Sequence, residues 1–239
     1  MGLLAHIGEL RRRLLICVGV FLVLFIGGFW AAPPVIGGLE QSGEALGMSL
    51  HVFRVTDALS IMVQSAFWLA MILIFPLVLF QIWQFVKPGL HESERRATLL
   101  YIPATLMLFL IGATFAYAIV FPTVLRFMFG LSADLGLAPV IGIREYFDFM
   151  MRLVVPFGIL FELPLLIMLL TKLGIVTPVL LRKIRKYAYF ALLVSAGFIA
   201  PPDAFSLLIV TFPLILLYEI GIGISSLSQP KRQAVRYME

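Results

Sequence analysis

Residues 187–225 read YAYFALLVSAGFIAPPDAFSLLIVTFPLILLYEIGIGIS, and the number of times this stretch crosses a membrane decides the fold. A helix rises 1.5 Å per residue, so about 20 apolar residues cover the roughly 30 Å of a bilayer's hydrocarbon. Tyr187 to Ala200 supplies only 14 residues before Pro201-Pro202-Asp203, a reach of about 21 Å. Ala204 then runs on to about Ser225, bent by Pro213. The stretch is therefore either one bent crossing or a hairpin of two spans, and its own residues do not choose between them.

The basic residues elsewhere choose. Upstream, apolar intervals predict spans at about 14–32, 60–86, 97–122 and 147–170. Arg11, Arg12 and Arg13 precede the first. Lys87, Arg95 and Arg96 lie between the second and third, and Lys172, Arg182, Lys183, Arg185 and Lys186 between the fourth and the stretch above. Lys231, Arg232 and Arg236 fall in the tail. The alternate gaps hold only Arg54, Arg126 and Arg144, with Arg152 inside the fourth span. Lys and Arg concentrate on the cytoplasmic side, so both termini are expected there and the span count must be even. The hairpin reading follows, with spans at 187–200 and 204–225.

Composition agrees. The chain is 62% hydrophobic and 13% charged, with a mean hydropathy of +1.06, where soluble domains carry about 25% charged residues. The fold class expected is an all-α integral membrane protein, a single membrane domain over residues 1–239. Six transmembrane helices are kinked by Pro76, Pro103, Pro156, Pro164 and Pro213 into a curved concave bundle, and the last two helices are short. Loops from Pro33 to Asp57 and from about Thr123 to Glu145 would cap the outer side. The run Leu14 to Ala32 is too long for a signal-peptide core and is read as a retained span. The net charge of +5 is scattered through short loops, which excludes a nucleic-acid groove. Cys17 is the single cysteine and cannot form an internal disulfide.

Against this apolar background the acids stand out. Glu162 falls near the middle of the fourth span, where a carboxylate costs about 2.5 to 3.5 kcal/mol and must be protonated, solvated or paired. Gln81, in the inner half of the second span, is a candidate partner, and a carbonyl freed by Pro156 or Pro164 is the alternative. On the cytoplasmic side, Glu9 stands four residues before Arg13, and Glu92 and Glu94 stand beside Arg95 and Arg96. Local helix pairing accounts for that spacing. The other account has Glu9 and Glu94 facing a shared pocket and accepting a visiting guanidinium through paired hydrogen bonds. Spacing alone leaves both open. No H-E-x-x-H, no G-x-S-x-G and no pair of intramembrane aspartates occurs, so no catalytic residue, metal ligand or cofactor is assigned.

Several ordered motifs are similar to those of a known family. HIGELRRRL, QIWQFVKPGLHESERR, FAYAIVFP, FGILFELP, and LRKIRKY followed by APPDAFS resemble the TatC family, the membrane receptor and core subunit of the twin-arginine protein translocase. The resemblance spans nearly the whole chain and implies six spans in the bacterial cytoplasmic (inner) membrane, with both ends on the cytoplasmic side. It implies that Glu9 and Glu94, with Phe85, bind the paired arginines of signal peptides on folded cargo, and that Glu162 and Gln81 form an intramembrane polar site. Asp203 matches a turn residue, with a helix N-cap as its simpler role. Partners implied are TatA- and TatB-type single-span proteins in an oligomeric complex. Ser93 departs from the family, which often has His before the acid, and Thr56-Asp57 match loosely. A rival of another class is a proton-coupled secondary transporter titrating Glu162, which leaves the cytoplasmic acids unexplained.

Overall fold

The computed structural model describes residues 3–86 and 92–228, with side chains placed at 8–82, 84 and 103–228. In chain order the elements are α1 (Leu3–Ala45), β1 (Leu50–His51), α2 (Asp57–Val86), α3 (Glu92–Phe115), a π turn (Ala116–Val120) and α4 (Phe121–Asp134). They continue with β2 (Ile141–Gly142), α5 (Ile143–Leu160), α6 (Leu163–Lys172), α7 (Pro178–Lys183), α8 (Arg185–Ile199) and α9 (Ala204–Ser228). Five stretches among the described residues are long and apolar enough to cross a membrane: 8–45, 57–82, 103–134, 143–172 and 204–228. The 15 residues of α8 reach about 22 Å, short of a full crossing. Large apolar side chains point outward, Trp30 at 80% exposure and Phe198 at 86%, while Ser65, Thr171, Ser206 and Ser225 are buried. Apolar surface exposed on that scale is stable where lipid is the solvent.

The chain divides into two compact units, residues 1–106 with 132–149, and residues 107–131 with 150–239. In the first, α1 and α2 pack antiparallel: Arg13 meets Gln81 and Gln84 near one end, and Gly28 meets Ala66 further along. Phe21 sits edge-on to Phe67 at 5.6 Å between ring centres. Beyond them β1 pairs in parallel with β2, Leu50 opposite Ile141 and His51 opposite Gly142. Asp57, 1% exposed, anchors this corner. Its Oδ2 accepts the amides of Arg54 at 2.8 Å and Phe53 at 3.2 Å, and Arg144 Nη1 lies 3.9 Å from its Oδ1.

In the second unit, small residues allow helices to touch. A Cβ on Gly158 would lie 2.6 Å from the Phe109 ring, and one on Gly112 would lie 2.6 Å from Phe161 and 2.8 Å from the Phe157 carbonyl, so α3 and α5 are in contact. Thr171 and Ser225 share a hydroxyl bond of 2.6 Å between α6 and α9. α7 starts at Thr177, whose hydroxyl accepts the Leu180 amide at 3.2 Å, with Pro178 in the first turn. Glu219 of α9 ties down α8, accepting from Arg185 Nη2 at 2.6 Å and from the Tyr189 hydroxyl at 2.5 Å. Tyr218 donates to the Leu181 carbonyl at 2.9 Å, fixing α7 to the same helix.

Several expected boundaries are corrected. The first helix does not stop at Ala32 but continues through Pro33-Pro34 to Ala45; proline removes donors yet holds φ near −65°, inside the helical range. The expected outer loops are accordingly largely helical, in the end of α1 and in α4. The fourth span is two helices, broken at Phe161-Glu162, and Pro164 stands in the first turn of α6, where it starts a helix and does not kink one. Of the last two helices only α8 is short, because α9 runs 25 residues straight through Pro213.

The α1–α2 contact gives a direct test. A Cβ at Gly28 would sit 2.8 Å from the Ala66 carbonyl oxygen, a backbone atom that cannot swing aside. Gly28→Ala is expected to lower stability by about 1 to 3 kcal/mol in thermal unfolding of the detergent-solubilised protein. Gly19→Ala, with open space around its Cβ, should be neutral or gain up to about 1 kcal/mol from helix propensity.

Candidate functional site

Two polar sites emerge, one in each unit. The first lies where the start of α1 meets the end of α2. Glu9 and Arg13 are one turn apart on α1, and Gln81 and Gln84, three apart, share a face of α2. Arg13 Nε and Nη2 both donate to Glu9 Oε1, the former at 3.1 Å. Its Nη1 donates to Gln81 Oε1 at 2.9 Å and to Gln84 Oε1 at 2.6 Å. A cavity of about 300 Å³ opens beside this cluster, lined by Glu9, Arg12, Arg13, Ile16, Phe80, Gln81 and Gln84. It is a planar cation held by one carboxylate and two amide oxygens, geometry suited to a guanidinium and poor for a point charge.

The second is Glu162, at the break between α5 and α6. Pro164 cannot donate to the Leu160 carbonyl, and the chain takes a tight turn in which the Glu162 amide donates to Ile159 O at 3.1 Å. The Glu162 side chain does not cap α6. Both carboxylate oxygens are buried and neither makes a hydrogen bond of full geometry among the described residues, the Phe109 backbone being their polar neighbour. The alternative of a carboxyl satisfying a freed carbonyl is therefore not realised.

Of the expected site residues, Glu9 is paired with its own neighbour Arg13, as local spacing allowed. Gln81 lies in the first unit and gives its oxygen to Arg13, while Glu162 belongs to the second. The backbones of Phe85 and Glu94 fall in the last turn of α2 and the first turn of α3, and their side chains lie outside the described residues. Asp203 is a helix cap: its Oδ1 accepts the Ser206 amide of α9 at 2.7 Å. Arg13 entered the sequence reading only as the local partner of Glu9, and Gln84 did not enter it. The signal for Arg13 was its i+4 relation to Glu9, and for Gln84 the Q-x-x-Q spacing that sets two amides on one helical face.

Long apolar helices with extensive exposed apolar surface define a multi-pass α-helical membrane protein. The family model described as Sec-independent protein translocase protein (TatC) matches residues 5–213. A Bacillus subtilis (strain 168) relative, Sec-independent protein translocase protein TatCy, is 51% identical over 233 residues, covering 98% of this chain and 92% of its own. The Aquifex aeolicus (strain VF5) protein TatC is 34% identical and 99% covered on both sides. A solved structure described as the twin arginine translocase receptor TatC superposes with a TM-score of 0.84 at 34% identity, covering 93% of this chain and 99% of that one. The chain belongs to the TatC family of Sec-independent protein translocases. These matches support protein translocation and give no support to the small-molecule transporter alternative.

An unbonded buried carboxyl is destabilising, so Glu162→Leu is expected to leave the thermal midpoint unchanged or to raise stability by about 1 to 3 kcal/mol. A clear fall in the midpoint of the purified protein would reveal a stabilising partner for that side chain.

Proposed function

We propose that this chain is the receptor that captures twin-arginine signal peptides of folded cargo at the cytoplasmic face of a bacterial cytoplasmic membrane and then nucleates the translocating assembly. It has six spans, α8 being the short fifth, with both termini cytoplasmic and residues 1–239 acting as a single membrane domain. It works by binding, not by catalysing a reaction. Its partners are TatA- and TatB-type single-span proteins and further copies of the complex.

The observation that carries this reading is Glu9 holding a guanidinium. The carboxylate sits at the start of α1, among Arg11, Arg12 and Arg13 on the side that the positive-inside rule assigns to the cytoplasm. Glu94, in the first turn of α3 and next to Arg95-Arg96, falls on the same side by the same rule. The solved neighbour described as a twin arginine translocase receptor supports the receptor reading. Arginine stays charged at every relevant pH and presents a planar fork, so paired acids select it over lysine at equal charge. Phe85, in the last turn of α2, is assigned to the recognition region by the family resemblance alone. Glu162, buried and without a hydrogen bond among the described residues, serves the later step by accepting a polar group from a partner helix, a contact worth about 0.6 to 2 kcal/mol in a bilayer.

Glu94→Gln should weaken binding of a labelled twin-arginine peptide by about 2 kcal/mol or more, roughly thirtyfold, while the protein still inserts. Unchanged affinity, measured by fluorescence anisotropy in nanodiscs, would count against this site. Glu162→Leu is expected to retain peptide affinity while reducing export of a folded reporter in cells; normal export would reject the assembly role.

A further inference from the structure

Arg13 is only 17% exposed at its side chain and spends its fork on three side chains from two helices. Glu9 Oε1 takes one edge of the guanidinium, and Gln81 Oε1 and Gln84 Oε1 take the Nη1 corner. Both glutamines turn their carbonyl oxygens toward the cation, so the cluster presents acceptors to a single point. The adjoining cavity of about 300 Å³ shares these walls and gives Arg13 space to withdraw into, or a second side chain space to enter. Arg12 lines the same cavity and makes no hydrogen bond or ion pair among the described residues.

We propose that Glu9, Gln81 and Gln84 form the specificity-determining cradle of the receptor site, and that Arg13 fills it as an internal stand-in which an arginine of the signal peptide must displace. This rests on the receptor reading given above and assigns Gln84 and Arg13 roles within it. Displacement exchanges like for like: each hydrogen bond surrendered by Arg13 is remade by the visitor, so no acceptor is left bare at the end. A lysine ammonium donates from one atom and cannot span a carboxylate on one edge and two amide oxygens at the other corner, so it cannot complete the exchange. The stand-in thereby raises the threshold for every ligand and returns it only to a guanidinium. Because the cradle is competent only while Arg13 is out of it, apparent affinity falls in proportion to the vacant fraction; a vacancy of about one in ten lowers affinity about tenfold.

The test is peptide binding to the full chain in lipid nanodiscs, using a labelled twin-arginine peptide and its twin-lysine counterpart. Arg13→Gln and Arg12→Gln remove the same unit charge from the same cavity, but only the first vacates the cradle. The expected result is about tenfold tighter twin-arginine binding for Arg13→Gln and no more than about two- to threefold for Arg12→Gln. Gln84→Leu should narrow the preference for twin-arginine over twin-lysine. Arg13→Gln binding no more tightly than Arg12→Gln, with its thermal midpoint intact, overturns the proposal while leaving the receptor reading in place. If Arg13→Gln lowers the midpoint, Arg13→Lys carries the test, since it keeps the charge but loses the fork; affinity equal to the unmodified chain overturns the proposal. An unmodified chain that does not prefer the twin-arginine peptide over the twin-lysine one sinks both readings together.

Discussion

A bilayer core offers no water to a backbone amide, and several breaks among the described helices are shaped by that constraint. Pro122 cannot donate to the Ala118 carbonyl, and the preceding turn widens so that the Phe121 amide reaches back to Ala116, while the Thr123 hydroxyl donates to the Ile119 carbonyl at 2.6 Å. At the α8–α9 turn, Asp203 supplies through Oδ1 the acceptor that the Ser206 amide would otherwise lack. Where α6 ends, the amides of Gly174 and Ile175 return to Thr171 and Leu170 at 3.0 Å each, with Gly174 at φ +72°. A positive φ costs a glycine little, so the chain reverses there without strain.

The same solvent removes the usual reason for helices to associate, since lipid is as apolar as leucine. What remains is close packing and inward polarity. Gly28 over Ala66, Gly112 and Gly158 against phenylalanine rings, and Gly221 against Ile167 let backbones approach where any larger residue would hold them apart. The Thr171–Ser225 bond and the Glu219 pairings with Arg185 and Tyr189 then lock the helices of the second unit. α8 is too short to span by itself, and Glu219 and Tyr218 fix it and its preceding turn to the 25-residue α9.

Much of this was legible in the sequence, because hydrophobic length and the placement of Lys and Arg are one-dimensional properties. The apolar intervals found the long apolar helices and α8, while α4 and α7 fell where connecting loops were expected. Their ends were less legible. Pro33-Pro34 resembled a stop signal, but a proline pair in an already helical segment forfeits donors without forbidding helical φ. Pro213 bends no boundary into α9 for the same reason, whereas Pro164 coincides with a break; nothing in one sequence tells these apart, because the outcome depends on what packs against the freed carbonyl. For the site, the Glu9–Arg13 pairing follows from i+4 spacing. That Arg13 also reaches across to Gln81 and Gln84 was not legible, since it depends on the register of α1 against α2 set by Gly28 and Ala66.

The two polar sites invert the expected economy of burial. Glu9 lies near the end of a helix, 31% exposed, where water could solvate it at little cost, yet it is paired with a cation that is itself held by two amides. Glu162 sits within an apolar stretch from Ile143 to Lys172, where an unpaired carboxyl is expensive, yet neither oxygen has a hydrogen bond among the described residues. Stability alone would favour the reverse arrangement, pairing the buried acid and leaving the accessible one to water. A carboxyl kept unsatisfied inside the hydrocarbon gains most from a donor arriving through lipid, because there desolvation has already been suffered. On the receptor reading proposed above, a carboxylate kept occupied at the aqueous edge would yield only to a cation that reproduces all the bonds of its occupant. On that reading the distribution of satisfied and unsatisfied groups matches the phase from which each proposed partner would come, membrane for Glu162 and water for Glu9.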